Sequence, residues 1–264
     1  ATRRQFLLGG AVAGVGAAAV IGLDSILNRP DTPATATPAA PEIATIHGGE
    51  TVPFYGRHQA GIATTPQAHA TLIALDLREG SDRGALGRMM RLLSDDAARL
   101  TQGRAALADS EPELAVAPAR LTVTFGFGPG FVARAGGTAP PWLAPLPPFT
   151  VDRLQPEFSD GDLLLQIASD DPLTVSHTAR MLLKDTRSFA TVRWVQRGFR
   201  RATGTEASGT TMRNLFGQVD GTANVAPGTA EFDKVVWNTG STDTAAWMAG
   251  GTSAVVRRIH MNLD

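Results

Sequence analysis

Two glycine-rich stretches carry residue types that could do chemistry. Residues 125–130 (FGFGPG) superficially resemble a dinucleotide-binding loop, but their spacing departs from G-x-G-x-x-G and Pro129 interrupts them. We interpret these glycines as a turn that leaves the edge of a sheet. Residues 217–222 (GQVDGT) place the carboxylate of Asp220 directly before a glycine. Because Asp-Gly alone is a common turn dipeptide, any catalytic role for Asp220 has to come from its context.

The composition excludes several kinds of site and partner. The 264-residue sequence contains no cysteine, which excludes disulfides, iron–sulfur clusters, cysteine-rich zinc sites, thiolate-ligated haem and covalently attached c-type haem. Its 24 basic and 25 acidic residues leave a net charge of −1, so no basic excess is available to neutralise nucleic-acid phosphates. We therefore expect no nucleic-acid partner.

Residues 1–41 are predicted to be an export signal followed by a linker. Arg3 and Arg4 precede Gln-Phe-Leu and a Gly- and Ala-rich apolar run over 9–23, an order typical of a twin-arginine signal, which exports folded cargo. A transmembrane anchor is the alternative, but the run is too short and too Gly-rich to span a bilayer, and Asp24 ends it. The sequence thus predicts a periplasmic or extracellular protein.

The end of this leader is rich in Pro, Thr and Ala. Residues 34–36 and residues 39–40 are both candidate cleavage sites, and the sequence does not choose between them. We expect residues 28–41 to form a disordered linker.

Residues 42–205 are predicted to form one ferredoxin-like domain. Apolar β-rich runs alternate with two segments in which apolar residues recur every three to four positions. The order β-α-β, β-α-β is that of a split unit with a four-stranded antiparallel sheet and both helices on one face. Residues 128–158 read as a long insertion between the second and third strands. The predicted strands cover 70–77, 120–127, 162–168 and 188–199, and the predicted helices cover 82–104 and the stretch that begins at Pro172.

Residues 206–264 are predicted to begin a second domain. The chain becomes Gly- and Thr-rich after Arg201, and residues 253–261 (SAVVRRIHM) have the pattern of a new strand. We therefore expect an α+β protein of the duplicated ferredoxin-like, dimeric α/β-barrel type, with its second domain incomplete in this sequence.

Five segments, in order, resemble the dye-decolourising peroxidase family. Residues 217–221 match its Gly-x-x-Asp-Gly hallmark, and the similarity extends from Gly48 to the end of the sequence. Together with the twin-arginine pattern, residues 56–62 point to the subgroup of exported deferrochelatase/peroxidases of iron uptake. The five segments are 53–62 (PFYGRHQAGI), 125–130 (FGFGPG), 146–149 (LPPF), 161–167 (GDLLLQI) and 212–224 (MRNLFGQVDGTAN).

This resemblance implies two ferredoxin-like domains and one haem b. Asp220 matches the distal acid, and Gly221, Thr222 and Ala223 match the segment that runs beside the haem. A carboxylate above the metal can accept a proton from one peroxide oxygen and return it to the other. The resemblance also implies that hydrogen peroxide and a small-molecule electron donor are the substrates and that the twin-arginine machinery is a partner. It is compatible with homo-oligomers and with iron-uptake partners.

The family's proximal histidine and distal arginine lie well after the hallmark, so we expect both beyond Asp264 and assign no metal ligand here. His260 follows the hallmark but lies in the predicted strand, as do Arg257 and Arg258, and we assign no ligand or distal role to these three residues. An unfinished sheet would expose unpaired edges and apolar surface, and poor solubility is expected.

The remaining histidines receive structural roles. We expect His58 to organise the loop that contains it, with contact to a substrate or cofactor as the alternative. We expect His47, His69 and His177 to lie at the surface or at strand edges. Three functions stay open: a haem peroxidase acting on dyes, phenols or porphyrin-like donors, an enzyme that releases iron from haem with the macrocycle intact, and a non-catalytic haem-binding protein.

Overall fold

A computed structural model describes residues 47–207, 209–240 and 246–262 of the chain. The export signal, cleavage sites and linker predicted within residues 1–41 lie outside the described residues. In the described part, no helix combines the length and hydropathy that crossing a bilayer requires.

The described residues form one four-stranded sheet. Its strands are β1 (His69–Leu77), β2 (Thr122–Phe127), β3 (Leu163–Ser169) and β4 (Ala190–Phe199). The strand order is β2-β3-β1-β4, and every neighbouring pair is antiparallel. This is the order that a split β-α-β, β-α-β unit produces, so the ferredoxin-like fold is confirmed for the first domain.

Two long helices begin where an aspartate caps them. The helix α1 (Arg83–Leu100) follows Asp82, whose Oδ1 accepts a hydrogen bond from Ala85 N at 2.7 Å. The helix α3 (Pro172–Thr186) follows Asp171, whose Oδ2 accepts from Thr174 N at 2.7 Å. Each cap satisfies a backbone N–H that the first helical turn leaves without a partner.

The helices pack on one face of the sheet and form the core with it. Successive residues of a strand point to opposite faces, so alternate residues of β1 and β3 turn towards the helices. The residues with the least exposure come from both layers and pack in one cluster: Ile73, Leu75, Leu163, Leu165 and Ile167 from the strands, and Met89, Leu93 and Leu182 from the helices.

The opposite face of the sheet is crossed by residues 59–64. Thr124 Oγ1 of β2 donates to the Ala60 carbonyl at 2.5 Å, and Gln166 Nε2 of β3 donates to the Gly61 carbonyl at 2.8 Å. The Gln59 side chain closes the free edge of β2 by donating to the backbone carbonyl of Phe125 and accepting from its N–H, both at 2.9 Å. The segment that directly follows His58 is therefore fixed to the sheet.

Gly61 is expected to tolerate no side chain. Its φ is +94°, and a Cβ there would overlap Thr124 Oγ1 and lie 3.2 Å from Thr122 Oγ1. We expect Gly61→Ala to lower the free energy of unfolding by about 2–4 kcal/mol. The strain of a left-handed backbone at alanine and the steric overlap of its Cβ with Thr124 both destabilise the fold. Urea unfolding followed by circular dichroism measures this loss. The control is Gly49→Ala, where a Cβ meets nothing within 4 Å, and equal midpoints for the two variants would contradict the expectation.

Two segments differ from their predictions. Residues 253–261 form no strand, and no other described strand lies beside them to pair with their backbone groups. Residues 128–130, predicted to be a turn, instead begin the short helix α2 (Pro129–Arg134) within the predicted insertion. Pro129 suits the first helical position, because the N–H it lacks would have no partner there.

The described residues after 205 contain the helix α4 (Ala230–Val236) and short turns, and the second ferredoxin-like domain stays a prediction. The edge strand β4 exposes Val192, Val195 and Phe199. Because β4 belongs to the complete first sheet, the exposed surface expected from an unfinished second sheet, and the poor solubility with it, stay predictions.

Candidate functional site

Asp220 stands at the end of a tight hairpin over residues 212–220. Its N–H donates to the Met212 carbonyl at 2.9 Å, and Arg213 and Val219 form an antiparallel bridge. These backbone contacts place the two ends of the hairpin side by side and fix the position of Asp220 relative to the chain that enters it.

The tip of this hairpin is organised by Asn214. Its side-chain Oδ1 accepts hydrogen bonds from the N–H groups of Phe216 at 3.0 Å and Gln218 at 3.2 Å. Gly217 supplies the left-handed residue of the turn, with φ at +80°. The first glycine of the hallmark therefore has a conformational reason to be glycine.

The carboxylate of Asp220 is exposed and has no hydrogen bond or ion pair within the part of the chain that the structure describes. Gly221 has a φ of +94°, and its carbonyl accepts from Asn224 N at 3.1 Å, so the chain turns sharply after Asp220. Thr222 and Ala223 are exposed on this turn. The four predicted site residues thus share one exposed turn with a free carboxylate at its start.

Three large apolar side chains on the same hairpin are exposed. Leu215, Phe216 and Val219 are 79%, 38% and 46% exposed, although large apolar side chains are usually buried. An exposed apolar patch beside a free carboxylate is typical of a surface that something else covers.

His58 lies in a different place, where it ties two distant segments together. Its Nδ1 is 2.6 Å from the Gly250 carbonyl, and its ring stacks on Trp237 with centroids 3.8 Å apart and planes 12° from parallel. These contacts agree with the predicted loop-organising role. His260 is exposed in the irregular segment after residue 250, and no hydrogen bond joins the side chain of Asp220 to a histidine among the described residues.

The prediction that His177 lies at the surface is wrong. Its side chain is 1% exposed, and its Nε2 is 2.8 Å from Oδ2 of the fully buried Asp109 side chain. Arg180 Nη2 lies 3.3 Å from Nδ1, and since a guanidinium only donates, Nδ1 is the acceptor and Nε2 carries the proton. Burial alone would raise the pKa of Asp109, but the Glu111 N–H and the His177 ring hold that pKa below its ordinary value.

Asp109, Glu111 and His177 have ligand atoms within 4.8 Å of one another, close enough to hold a cation. Arg180 pairs with Glu111 and also contacts His177, so its guanidinium already supplies the positive charge. Lys184 Nζ donates to the Ala108 carbonyl at 2.5 Å in the next turn of α3. We interpret the group as an ion-pair network that fastens the loop before β2 to α3.

A cleft of about 880 Å³ lies between residues 57–64 on one side and residues 228–239 and 249–250 on the other. Its walls combine aromatic, charged and backbone groups, and the sequence analysis did not find it because its two sides are far apart in the chain. The lining residues are Arg57, His58, Gln59, Ala60, Ala63, Thr64, Gly228, Phe232, Asp233, Trp237, Asn238, Thr239, Ala249 and Gly250.

Comparison with known proteins places this geometry in a family. Residues 59–200 match the family described as Dyp-type peroxidase, N-terminal, and residues 211–264 match Dyp-type peroxidase, C-terminal. A deferrochelatase from Escherichia coli is 35% identical over 266 residues, which are 95% of this chain and 62% of that protein. The chain therefore spans less than two thirds of the length of this relative.

Solved structures show the same similarity. The crystal structure of a DyP-type peroxidase from Cellulomonas bogoriensis superposes with a TM-score of 0.73 at 50% identity, over 78% of this chain and 57% of that chain. A DyP-type peroxidase from Streptomyces coelicolor gives a TM-score of 0.72 at 42% identity, over 77% and 55% of the two chains. Both halves of the described structure, including the hairpin of Asp220, fall in matched regions, and the chain belongs to the Dyp-type peroxidase family.

Proposed function

We propose that the protein is a haem-dependent peroxidase that reduces hydrogen peroxide and oxidises dyes, phenols or porphyrin-like donors, with Asp220 as its acid–base group. The observation that carries this proposal is the free, exposed carboxylate of Asp220 on the hallmark hairpin of a Dyp-type peroxidase chain. A carboxylate with no partner in the protein is available to a proton on a bound substrate.

Two features of the turn that contains Asp220 support its place beside a flat macrocycle. Gly221 has no Cβ, so the backbone can approach a ring closely, and Thr222 and Ala223 continue the exposed turn. The exposed apolar side chains of the same hairpin suit contact with a porphyrin. Haem b, when bound, supplies the redox chemistry. We assign no axial ligand for this haem among the described residues.

Asp220 has two tasks in this scheme. Its carboxylate oxygen would take the proton from one peroxide oxygen and return it to the other, which leaves as water, while bound haem would supply the two electrons that this reduction needs. One group can do both because the carboxylate regains its starting state after the second transfer. The electron donor then restores the enzyme.

Export is part of the same proposal. Arg3, Arg4 and the apolar run that follows them support delivery of the folded protein by the twin-arginine route to the periplasm or the cell exterior. Export after folding would let the protein carry a cofactor that it acquired in the cytoplasm.

Release of iron from haem is the second candidate, because a relative 35% identical to this chain bears the name deferrochelatase. Product analysis separates the two reactions. We expect haem-loaded protein given hydrogen peroxide and 4-methoxyphenol to form oxidised phenol without free protoporphyrin, which fluoresces once it has lost its iron. Protoporphyrin that accumulates without oxidised phenol would favour iron release, and neither product would favour a non-catalytic haem-binding protein. Free haem in the same buffer is the control for background oxidation.

A further inference from the structure

The cleft beside residues 57–64 contains a histidine, His58, of which one ring nitrogen makes a hydrogen bond. His58 Nδ1 lies 2.6 Å from the Gly250 carbonyl, and a carbonyl oxygen can only accept, so Nδ1 carries a proton. In the neutral ring the other nitrogen, Nε2, then presents a lone pair. Nε2 has no hydrogen-bond partner within the described residues. A base without a partner therefore lines a cleft of about 880 Å³.

The aromatic wall of this cleft is held in place from two sides. The Trp237 ring stacks on His58 and meets the edge of Phe232, with ring centroids 5.9 Å apart and planes at 74°. The backbone bond from His58 to Gly250 fixes the stack in turn. The cleft volume falls in the range of small-molecule sites, which are mostly apolar with a few placed polar groups.

Two charged side chains stand at the same cleft. Arg57 is exposed and has no ion pair in the part of the chain that the structure describes, so its guanidinium is available to an oxygen that gains negative charge. Asp233 lines the cleft as well and contributes a carboxylate to it. The cleft thus holds a base, a cation and an anion beside a fixed aromatic wall.

We propose that this cleft binds a small phenol, the electron donor, with its hydroxyl donating to His58 Nε2 and its ring against the aromatic wall. This rests on the proposed peroxidase function and names the donor class and a site for it. On oxidation, the phenol O–H bond breaks and an N–H bond forms at Nε2. The electron passes to the peroxide-oxidised enzyme, and the phenol becomes a phenoxyl radical. His58 therefore acts as the proton acceptor, and Arg57 and Asp233 are the charged groups of the same cleft.

The first test needs no variant. Calorimetric titration of haem-loaded protein with 4-methoxyphenol and with 1,4-dimethoxybenzene compares two molecules of similar shape, of which only the first has an O–H. We expect O-methylation to weaken binding about tenfold, as the loss of one well-placed hydrogen bond does. Equal dissociation constants for the two probes would overturn the assignment of Nε2 as the acceptor.

The second test uses His58→Asn. The Asn amide can still donate to the Gly250 carbonyl in place of Nδ1, but it offers no base at the Nε2 position. With peroxide supplied, we expect the rate for 4-methoxyphenol relative to that for ferrocyanide, which gives up an electron and no proton, to fall more than tenfold. His47→Asn, at an exposed histidine outside the cleft, is the matched control and should keep the wild-type ratio.

An unchanged ratio in His58→Asn would show that His58 accepts no proton from the phenol. If the wild-type protein oxidises neither 4-methoxyphenol nor ferrocyanide, the peroxidase proposal itself is wrong. The titration with the two probes then decides by itself whether the cleft binds a phenol through its hydroxyl.

Discussion

Replacing Asp220 with asparagine is expected to lower the peroxide-dependent kcat of the haem-loaded protein by about 100-fold or more. Asparagine keeps the size of the side chain and its place on the hairpin, but an amide neither takes up nor returns a proton at neutral pH. Because the Asp220 side chain is exposed and has no partner within the described residues, its replacement should change the free energy of unfolding by less than about 0.5 kcal/mol. The loss of rate is then chemical and not a loss of fold.

Steady-state oxidation of 4-methoxyphenol at saturating donor measures this effect, with the haem content of each sample taken from its Soret absorbance. Glu231→Gln is the matched control, since it also converts an exposed carboxylate into an amide in the same part of the chain. A fully haem-loaded Asp220→Asn protein with the kcat of the control would show that Asp220 is not the acid–base group.

Local patterns were enough to predict the first domain. Runs of β-forming residues and helical spacing of apolar residues depend only on near neighbours, and the strands β1 to β4 and the helices α1 and α3 lie within a few residues of their predicted bounds. Asp171 before Pro172 marked the start of α3 to the residue, because an N-cap acts within one turn. The order of these elements then left the antiparallel ferredoxin-like sheet as the natural arrangement.

Contacts between distant residues could not be predicted in this way. His177 pairs with Asp109 across 68 residues, and His58 reaches Gly250 across 192, so no local spacing marks either contact. A lone histidine on a helix looks the same in the sequence whether it faces solvent or a buried carboxylate. Residues 253–261 show the converse, because their alternating pattern is that of a strand although no neighbouring strand pairs with them in the described structure.

The pair formed by Asp96 of α1 and Asp185 of α3 was also hidden from sequence analysis, and it makes the stability of the fold depend on pH. Asp96 is 3% exposed, and its Oδ1 accepts from Leu107 N at 2.7 Å. Asp185 Oδ2 is buried without a hydrogen-bond partner. Burial first, and then the charge of Asp96 and a hydrogen bond with it, raise the pKa of Asp185 to about 7, while Lys184 opposes this rise. The native pair therefore shares one proton at pH values where an exposed aspartate has lost it.

The sign of the pH dependence follows from this difference. An unfolded chain releases the Asp185 proton near pH 4 and the native chain near pH 7. The contribution of Asp185 to stability is therefore fully present below about pH 4 and is lost as the pH rises to about 7. We expect Asp185→Asn to remove this decline, because an amide can donate to Asp96 at every pH. At pH 8 the free energy of unfolding of the variant should exceed that of the wild type by about 2 kcal/mol. This is roughly half of the free energy that corresponds to the full rise in pKa, because the side chain is half-buried and solvent screens part of the interaction.

Urea unfolding followed by circular dichroism at pH 4 and pH 8 tests this expectation. Asp95→Asn, at the exposed neighbour of Asp96 on α1, is the matched control and should follow the wild type at both pH values. If Asp185→Asn loses as much stability between pH 4 and pH 8 as the wild type does, the two carboxyl groups do not share a proton in the native protein. A gain in stability at pH 8 alone would not show that the two groups share a proton, because asparagine could also stabilise α3 in other ways. The disappearance of the decline between pH 4 and pH 8, in contrast, requires that Asp185 is the group that titrates.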